Sequence, residues 1–290
     1  MARGKTVIIA AMSLMCILAF TACNSGKSQW EVVSALKTAP SAQGGYTGLQ
    51  VLFNDDTWGA ALNGGNYFFT TADGGATWKE TKIITNPCLH GPEVLDRNSV
   101  FVGCECDPVK YTSDGGATWN ATAIQSYPMI SMIDGTTGCM AKARSILSLS
   151  GDLSAPAEVP MPAEFREILS IAAISAGRFL FLDKGGAVRI TTAGGKTWTL
   201  SATLDPKEYA LEKTMTGARF ARENEGLIVA FSLKKGEWRG LRTTDGGKTW
   251  KSEAIFNRGV GSPSISKDLR YVTIVPVAGA DRIIVLRRKA

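Results

Sequence analysis

The chain has 290 residues, with 32 lysines and arginines against 26 aspartates and glutamates, and one histidine. Without Arg3 and Lys5, which belong to a leader, the positive excess is only +4. So mild a balance excludes the electrostatic footprint of a nucleic-acid binder, while 44% hydrophobic residues over this length suffice for a single all-β domain.

The leader comes first. Arg3 and Lys5 precede an apolar run over 7–20, broken only by Ser13. It is too short for a comfortable membrane span and right for the core of a signal peptide. The run ends in Phe20-Thr21-Ala22-Cys23, which resembles the lipobox of bacterial lipoproteins, with Phe20 where an aliphatic residue is usual. The resemblance implies lipidation of Cys23 and export to the periplasm or the cell surface, on a membrane. An ordinary cleaved signal, or an uncleaved anchor, is the alternative. The expected division is a signal peptide over 1–22, a polar tether over 23–28 and one domain over 29–290.

The domain opens with Ser28-Gln29-Trp30-Glu31-Val32-Val33, a strand with a tryptophan but no partners before it. Short strands then follow over 49–54, 57–62 and 66–71, leading into Thr71-Ala72-Asp73-Gly74-Gly75-Ala76-Thr77-Trp78. This octapeptide returns as Thr112-Ser113-Asp114-Gly115-Gly116-Ala117-Thr118-Trp119 and as Thr243-Thr244-Asp245-Gly246-Gly247-Lys248-Thr249-Trp250. A further copy, Thr191-Thr192-Ala193-Gly194-Gly195-Lys196-Thr197-Trp198, has alanine for aspartate. Asp-Gly-Gly is turn chemistry: the carboxylate accepts nearby amides and glycine takes positive φ without steric cost. The tryptophan then anchors the following strand between repeats. A turn explains every residue type, so a catalytic role for these aspartates is not needed.

Tryptophan spacings of 41, 79 and 52 residues give a period near 40. A degraded copy is expected near Ser150-Gly151-Asp152-Leu153. Even strand spacing with this period predicts an all-β propeller of four-stranded blades. The last segment, with strands over 271–277 and 281–287, lacks a fourth strand, which the N-terminal one would supply, closing the ring without an open edge. The count is six blades, or seven if the insertion after Leu204 hides another.

The octapeptide resembles the Asp box, or BNR repeat, of sialidases, sortilin-type receptors and exported propellers like the photosystem II stability/assembly factor. In those families the box is structural and joins the third and fourth strands of a blade. The resemblance assigns that role to Asp73, Gly75, Thr77, Trp78, Asp114, Gly116, Thr118, Trp119, Gly195, Thr197, Trp198, Asp245, Gly247, Thr249 and Trp250. It implies a non-catalytic scaffold recruited to a membrane protein complex or to another exported protein, and no cofactor is expected. A glycan-binding or sialidase-like hydrolase is the competing class, but Phe165-Arg166-Glu167-Ile168 is only a poor likeness of the sialidase Phe-Arg-Ile-Pro stretch.

Four cysteines follow the leader: Cys88, Cys104, Cys106 and Cys139. In an exported chain an even number suggests disulfides. The alternatives are free buried cysteines, or zinc held by Cys88, His90, Cys104 and Cys106, since residues at i and i+2 share one strand face. On the face expected to bind, opposite the boxes, stand His90, Glu105, Asp107, Tyr127, Asp183 and Lys184. Most suggestive is the tip carrying Lys234, Lys235, Trp238 and Arg239, an aromatic among cations that suits a protein or a glycan. The basic end, Arg282, Arg287, Arg288 and Lys289, suits a solvated edge strand or an anionic lipid surface.

Overall fold

The computed structural model describes residues 28–36, 49–63, 67–83, 89–142, 145–151, 153–154, 156–257, 261–276 and 282–290. The expected leader, Cys23, most of the tether, and Cys88 lie outside them. Twenty-four strands form six four-stranded antiparallel sheets. The first strand, β1 (Trp30–Leu36), stands apart from its sheet in sequence. Blade 1 is β2 (Gln50–Phe53), β3 (Gly59–Asn63), β4 (Tyr67–Thr71) and β5 (Lys79–Lys82). Blade 2 is β6 (Leu89–Val94), β7 (Val100–Cys104), β8 (Pro108–Thr112) and β9 (Asn120–Gln125). Blade 3 is β10 (Met129–Met132), β11 (Thr137–Lys142), β12 (Ser145–Ser150) and β13 (Ala157–Pro160). Blade 4 is β14 (Ile168–Ser175), β15 (Arg178–Asp183), β16 (Ala187–Thr191) and β17 (Thr199–Thr203). Blade 5 is β18 (Thr216–Phe220), β19 (Gly226–Ser232), β20 (Glu237–Thr243) and β21 (Lys251–Phe256). Blade 6 is β22 (Gly261–Ile265), β23 (Tyr271–Pro276), β24 (Ile283–Arg288) and, outermost, β1.

The ring closes as expected. β1 pairs antiparallel with β24, Trp30 opposite Arg288 and Leu36 opposite Ile283. The innermost strands touch in a closed circle, β2 to β6, β10, β14, β18, β22 and back to β2. The insertion after Leu204 makes no seventh blade; it forms turns and one isolated bridge, Tyr209 to Ser232.

Two-residue periodicity turns alternate side chains of each strand to the preceding and the following blade, so the core is divided among the blade junctions. Blades 1 and 2 enclose Leu62, Phe68, Val100 and Val102, and blades 5 and 6 enclose Trp30, Trp238, Val272 and Leu286. The octapeptide tryptophans fill four junctions, each against the preceding blade or the connection from it. Trp119 meets Phe68 edge-on at 5.1 Å, and Trp198 meets Phe165 at 5.1 Å. Trp78 and Trp250 fill the corresponding junctions, beside Phe53 and Phe220 of their own blades. Trp30 serves the junction of blades 5 and 6. At the junction of blades 2 and 3 Leu153 stands in for a tryptophan, beside the degraded copy.

The octapeptide turns share one hydrogen-bond pattern. In the second copy, Asp114 accepts from the Thr112 hydroxyl (2.7 Å), the Thr118 amide (2.9 Å) and the Thr118 hydroxyl (2.6 Å). The Thr118 hydroxyl and amide hold the Asp114 carboxyl down at about 2, and Asp73 and Asp245 are held the same way by Thr77 and Thr249. The first glycine of the pair ties the turn to its own blade, as Gly115 N–H donates to the Asn98 carbonyl at 3.0 Å. The second faces the blade before: Gly116 has φ +89, and a Cβ there would sit 2.7 Å from the Phe68 ring. Only glycine combines that backbone with that approach.

Candidate functional site

One ion pair bridges the centre of the ring, close to the octapeptide face. Glu93 on β6 and Arg219 on β18 belong to blades on opposite sides of the ring and meet across it in a buried ion pair. Each residue is 7% exposed. The Glu93 carboxylate also accepts the Met132 amide at 2.7 Å, and Arg219 reaches the Val94 carbonyl at 3.5 Å. One clasp thus joins blades 2, 3 and 5.

Beside this pair, on the face carrying the octapeptide turns, lies a cavity of about 440 Å³. Its lining includes Asn54, Asp96, Arg97, Arg222, Lys267 and Asp268. These residues sit on turns between the first and second strands of blades 1, 2, 5 and 6. An aspartate holds several such turns: Asp55 accepts the Thr57 and Trp58 amides, Asp96 those of Asn98 and Ser99, and Asp134 those of Thr136 and Thr137, all at 2.7–2.8 Å. Burial pushes Asp96 upward, but the Asn98 and Ser99 amides, with Lys267 nearby, outweigh it and hold the carboxyl below its ordinary range. These aspartates are a second repeat, which sequence reasoning missed.

Much of the mouth's charge is engaged internally. Arg97 binds Asp55 at 2.7 Å, Lys267 donates to the Ile133 carbonyl at 2.8 Å, and Asp268 accepts the Ser266 hydroxyl at 2.6 Å. Arg222 differs. It is exposed, and its guanidinium makes no hydrogen bond or ion pair among the described residues. Asn54 Oδ1, buried in the same wall, is a carbonyl with no donor among them. The mouth therefore offers a free cation, an unmet acceptor and a mixed-charge rim.

The fold has known counterparts. A structure of YCF48 bound to D1 peptide superposes with a TM-score of 0.53 at 15% identity, covering 91% of this chain and 96% of that one. A gluconolactonase from Xanthomonas campestris gives 0.53 at 12%, covering 88% and 98%. An ancestral GH74 enzyme gives 0.53 at 13%, covering 84% of this chain and 36% of that one. No protein-family model matches the chain, and no curated protein sequence does. At these identities the likeness is one of fold, shared by enzymes and a peptide binder alike.

The opposite face gathers less than the sequence suggested. Trp238 is not a surface contact: it is fully buried, edge-on to Phe231 at 5.4 Å, in the core between blades 5 and 6. The hairpin tip ends at Gly236, so Trp238 falls inside β20, opposite Phe231, where the strand pleat turns it inward. Arg239 is held by Glu237 at 2.6 Å and by Ser252 at 2.8 Å, while Lys234 and Lys235 are exposed at the tip. His90 meets Glu105 at 3.1 Å. Tyr127 is buried beneath Lys142, which lies 4.4 Å from its ring centre. Asp183 is buried too, accepting the Gly185 and Ala187 amides and Arg189 at 2.7 Å. Lys184 faces Glu167 at 3.7 Å.

The cysteines also divide differently. Cys106 is disulfide-bonded, which removes one thiolate from the zinc alternative. Cys104 and Cys139 are buried thiols and not disulfide partners, contrary to expectation. Cys104 packs toward blade 1 and Cys139 toward blade 4, on opposite sides of their neighbouring blades. Measured from the aspartate turn that precedes each strand, the two differ by an odd number of residues, so the pleat separates them. Burial drives the Cys139 thiol far above its usual range. At the basic end Arg287 pairs with Glu31 and Asp56, Arg288 with Glu253 at 3.7 Å, and Lys289 Nζ donates to the Ser28 carbonyl at 3.0 Å. These cations fasten the ring closure.

Proposed function

We propose that the protein is a non-catalytic, lipid-anchored propeller on the extracytoplasmic side of a membrane, which holds a protein partner at the charged mouth of its channel. The observation that carries this reading is the mouth itself: a recess beside the Glu93–Arg219 pair, presenting Arg222 and the Asn54 carbonyl without partners among the described residues. Mixed charge around an unmet donor and acceptor suits a polypeptide, whose backbone and side chains supply both. The fold-wide likeness to YCF48 in complex with D1 peptide supports polypeptide binding on this architecture. The leader and the Phe20-Thr21-Ala22-Cys23 stretch support export and anchoring.

The glycan-active alternative draws on the GH74 and gluconolactonase likenesses. Against it, Arg219 is committed to Glu93 and Arg97 to Asp55, so Arg222 stands at the mouth without the companion arginines that would grip a substrate carboxylate. The test is capture of the tagged full-length protein from its native membranes in mild detergent, beside Arg222→Glu. A stoichiometric protein partner lost from the variant supports the proposal. Capture of the propeller alone, or unchanged capture by the variant, contradicts it, and glycoside hydrolysis by the purified protein would move it to the competing class.

A further inference from the structure

The described chain begins at the rim of the octapeptide face, and its position there is fixed. Ser28 Oγ accepts the Trp30 amide at 3.1 Å and donates to the Ala254 carbonyl at 3.2 Å, on the outer strand of blade 5. Trp30 beside it is fully buried and donates its indole N–H to Glu253 at 3.0 Å. Ser28 therefore packs on the preceding blade as Gly247 of an octapeptide turn does, whose carbonyl accepts Ser201 of blade 4.

A short chain of hydrogen bonds joins this exit point to the mouth. Lys289 N–H donates to the Gln29 carbonyl at 2.8 Å, and the neighbouring Arg288 N–H donates to the Arg270 carbonyl at 2.8 Å. Arg270 N–H in turn donates at 3.0 Å to Asp268, which lines the mouth. Exit point and mouth thus share one face. Ser28 lies five residue steps beyond Cys23, and five steps in any conformation span at most about 18 Å. The Lys234–Lys235 hairpin tip lies on the other face, at the far ends of β19 and β20.

We infer that the propeller stands with its octapeptide face toward the bilayer, so that the mouth receives a membrane-proximal stretch of a membrane protein, not a ligand approaching from the aqueous side. This rests on lipidation of Cys23. The tether is too short to let the ring turn over and present its far face, and the engagement of Lys289, Arg288 and Arg287 holds the exit point against that face.

The test uses the full-length lipidated protein in phosphatidylethanolamine–phosphatidylglycerol vesicles carrying an acceptor dye on a fraction of headgroups. A donor dye is placed by Lys248→Cys, exposed in the blade 5 octapeptide turn, or by Lys234→Cys at the far tip. The expected result is co-flotation of both, with energy transfer severalfold stronger from position 248 than from 234. Co-flotation with equal or reversed transfer overturns the orientation and leaves the anchor standing. Failure to float, with no lipid mass on Cys23, overturns the anchor and the orientation with it.

Discussion

Removing Arg219 alone should be far more damaging than removing the whole Glu93–Arg219 pair. Both side chains are buried, and Glu93 is left by Arg219→Met with one donor, the Met132 amide at 2.7 Å. Stranding a buried carboxylate in this way costs about 3–5 kcal/mol. For a domain of this size that corresponds to a fall in Tm of roughly 6–20 °C. Adding Glu93→Gln removes the charge but keeps an acceptor for the Met132 amide, so the double variant should lie within about 1–2 kcal/mol of the parent. Guanidinium unfolding followed by tryptophan fluorescence is the assay, because tryptophans occupy five of the blade junctions and report the whole ring. A single variant within about 1 kcal/mol of the parent, or a double variant as damaged as the single, would refute the clasp.

Other outcomes follow from the same contacts. Trp238→Ala should cost about 3–5 kcal/mol in denaturant unfolding, whereas Lys234→Glu with Lys235→Glu should change stability by no more than about 0.5 kcal/mol. Ala193→Asp restores the missing carboxylate between Thr191 and Thr197, and should raise Tm by roughly 1–3 °C in calorimetry. Asp73, Asp114 and Asp245 titrate at about 2 against an ordinary 3.8. A carboxyl depressed by folding stabilises fully above its unfolded value and loses that contribution as pH falls through the folded one, so stability should fall between about pH 4 and 2. Thr118→Val should return the Asp114 carboxyl toward its ordinary value, read by carbon NMR titration.

The propeller was legible because its signal is local and repeated. Each octapeptide packs turn, glycine pair and tryptophan into adjacent positions, and the shortfall at the C-terminus matched the surplus strand around Trp30. The copy at Gly151 survived only as a turn, since Leu153 replaced the tryptophan. The mouth was hidden for the opposite reason. Its aspartate turns share one residue across Asp55-Asp56-Thr57, Asp96-Arg97-Asn98 and Asp134-Gly135-Thr136, too little to stand out as a motif. Glu93 and Arg219 are 126 positions apart and meet only because ring closure puts blades 2 and 5 face to face. Trp238 misled because one residue decides whether a side chain belongs to a hairpin tip or to the pleat of its strand.

Site-specific photo-crosslinking in native membranes tests the mouth most directly, with a photoreactive phenylalanine in place of Glu225, which also lines it, or of Lys234 at the far tip. The expected result is one dominant adduct from position 225, to a membrane-proximal segment of a membrane protein, and none from 234. An adduct from 234 with none from 225 would contradict the assignment of the mouth.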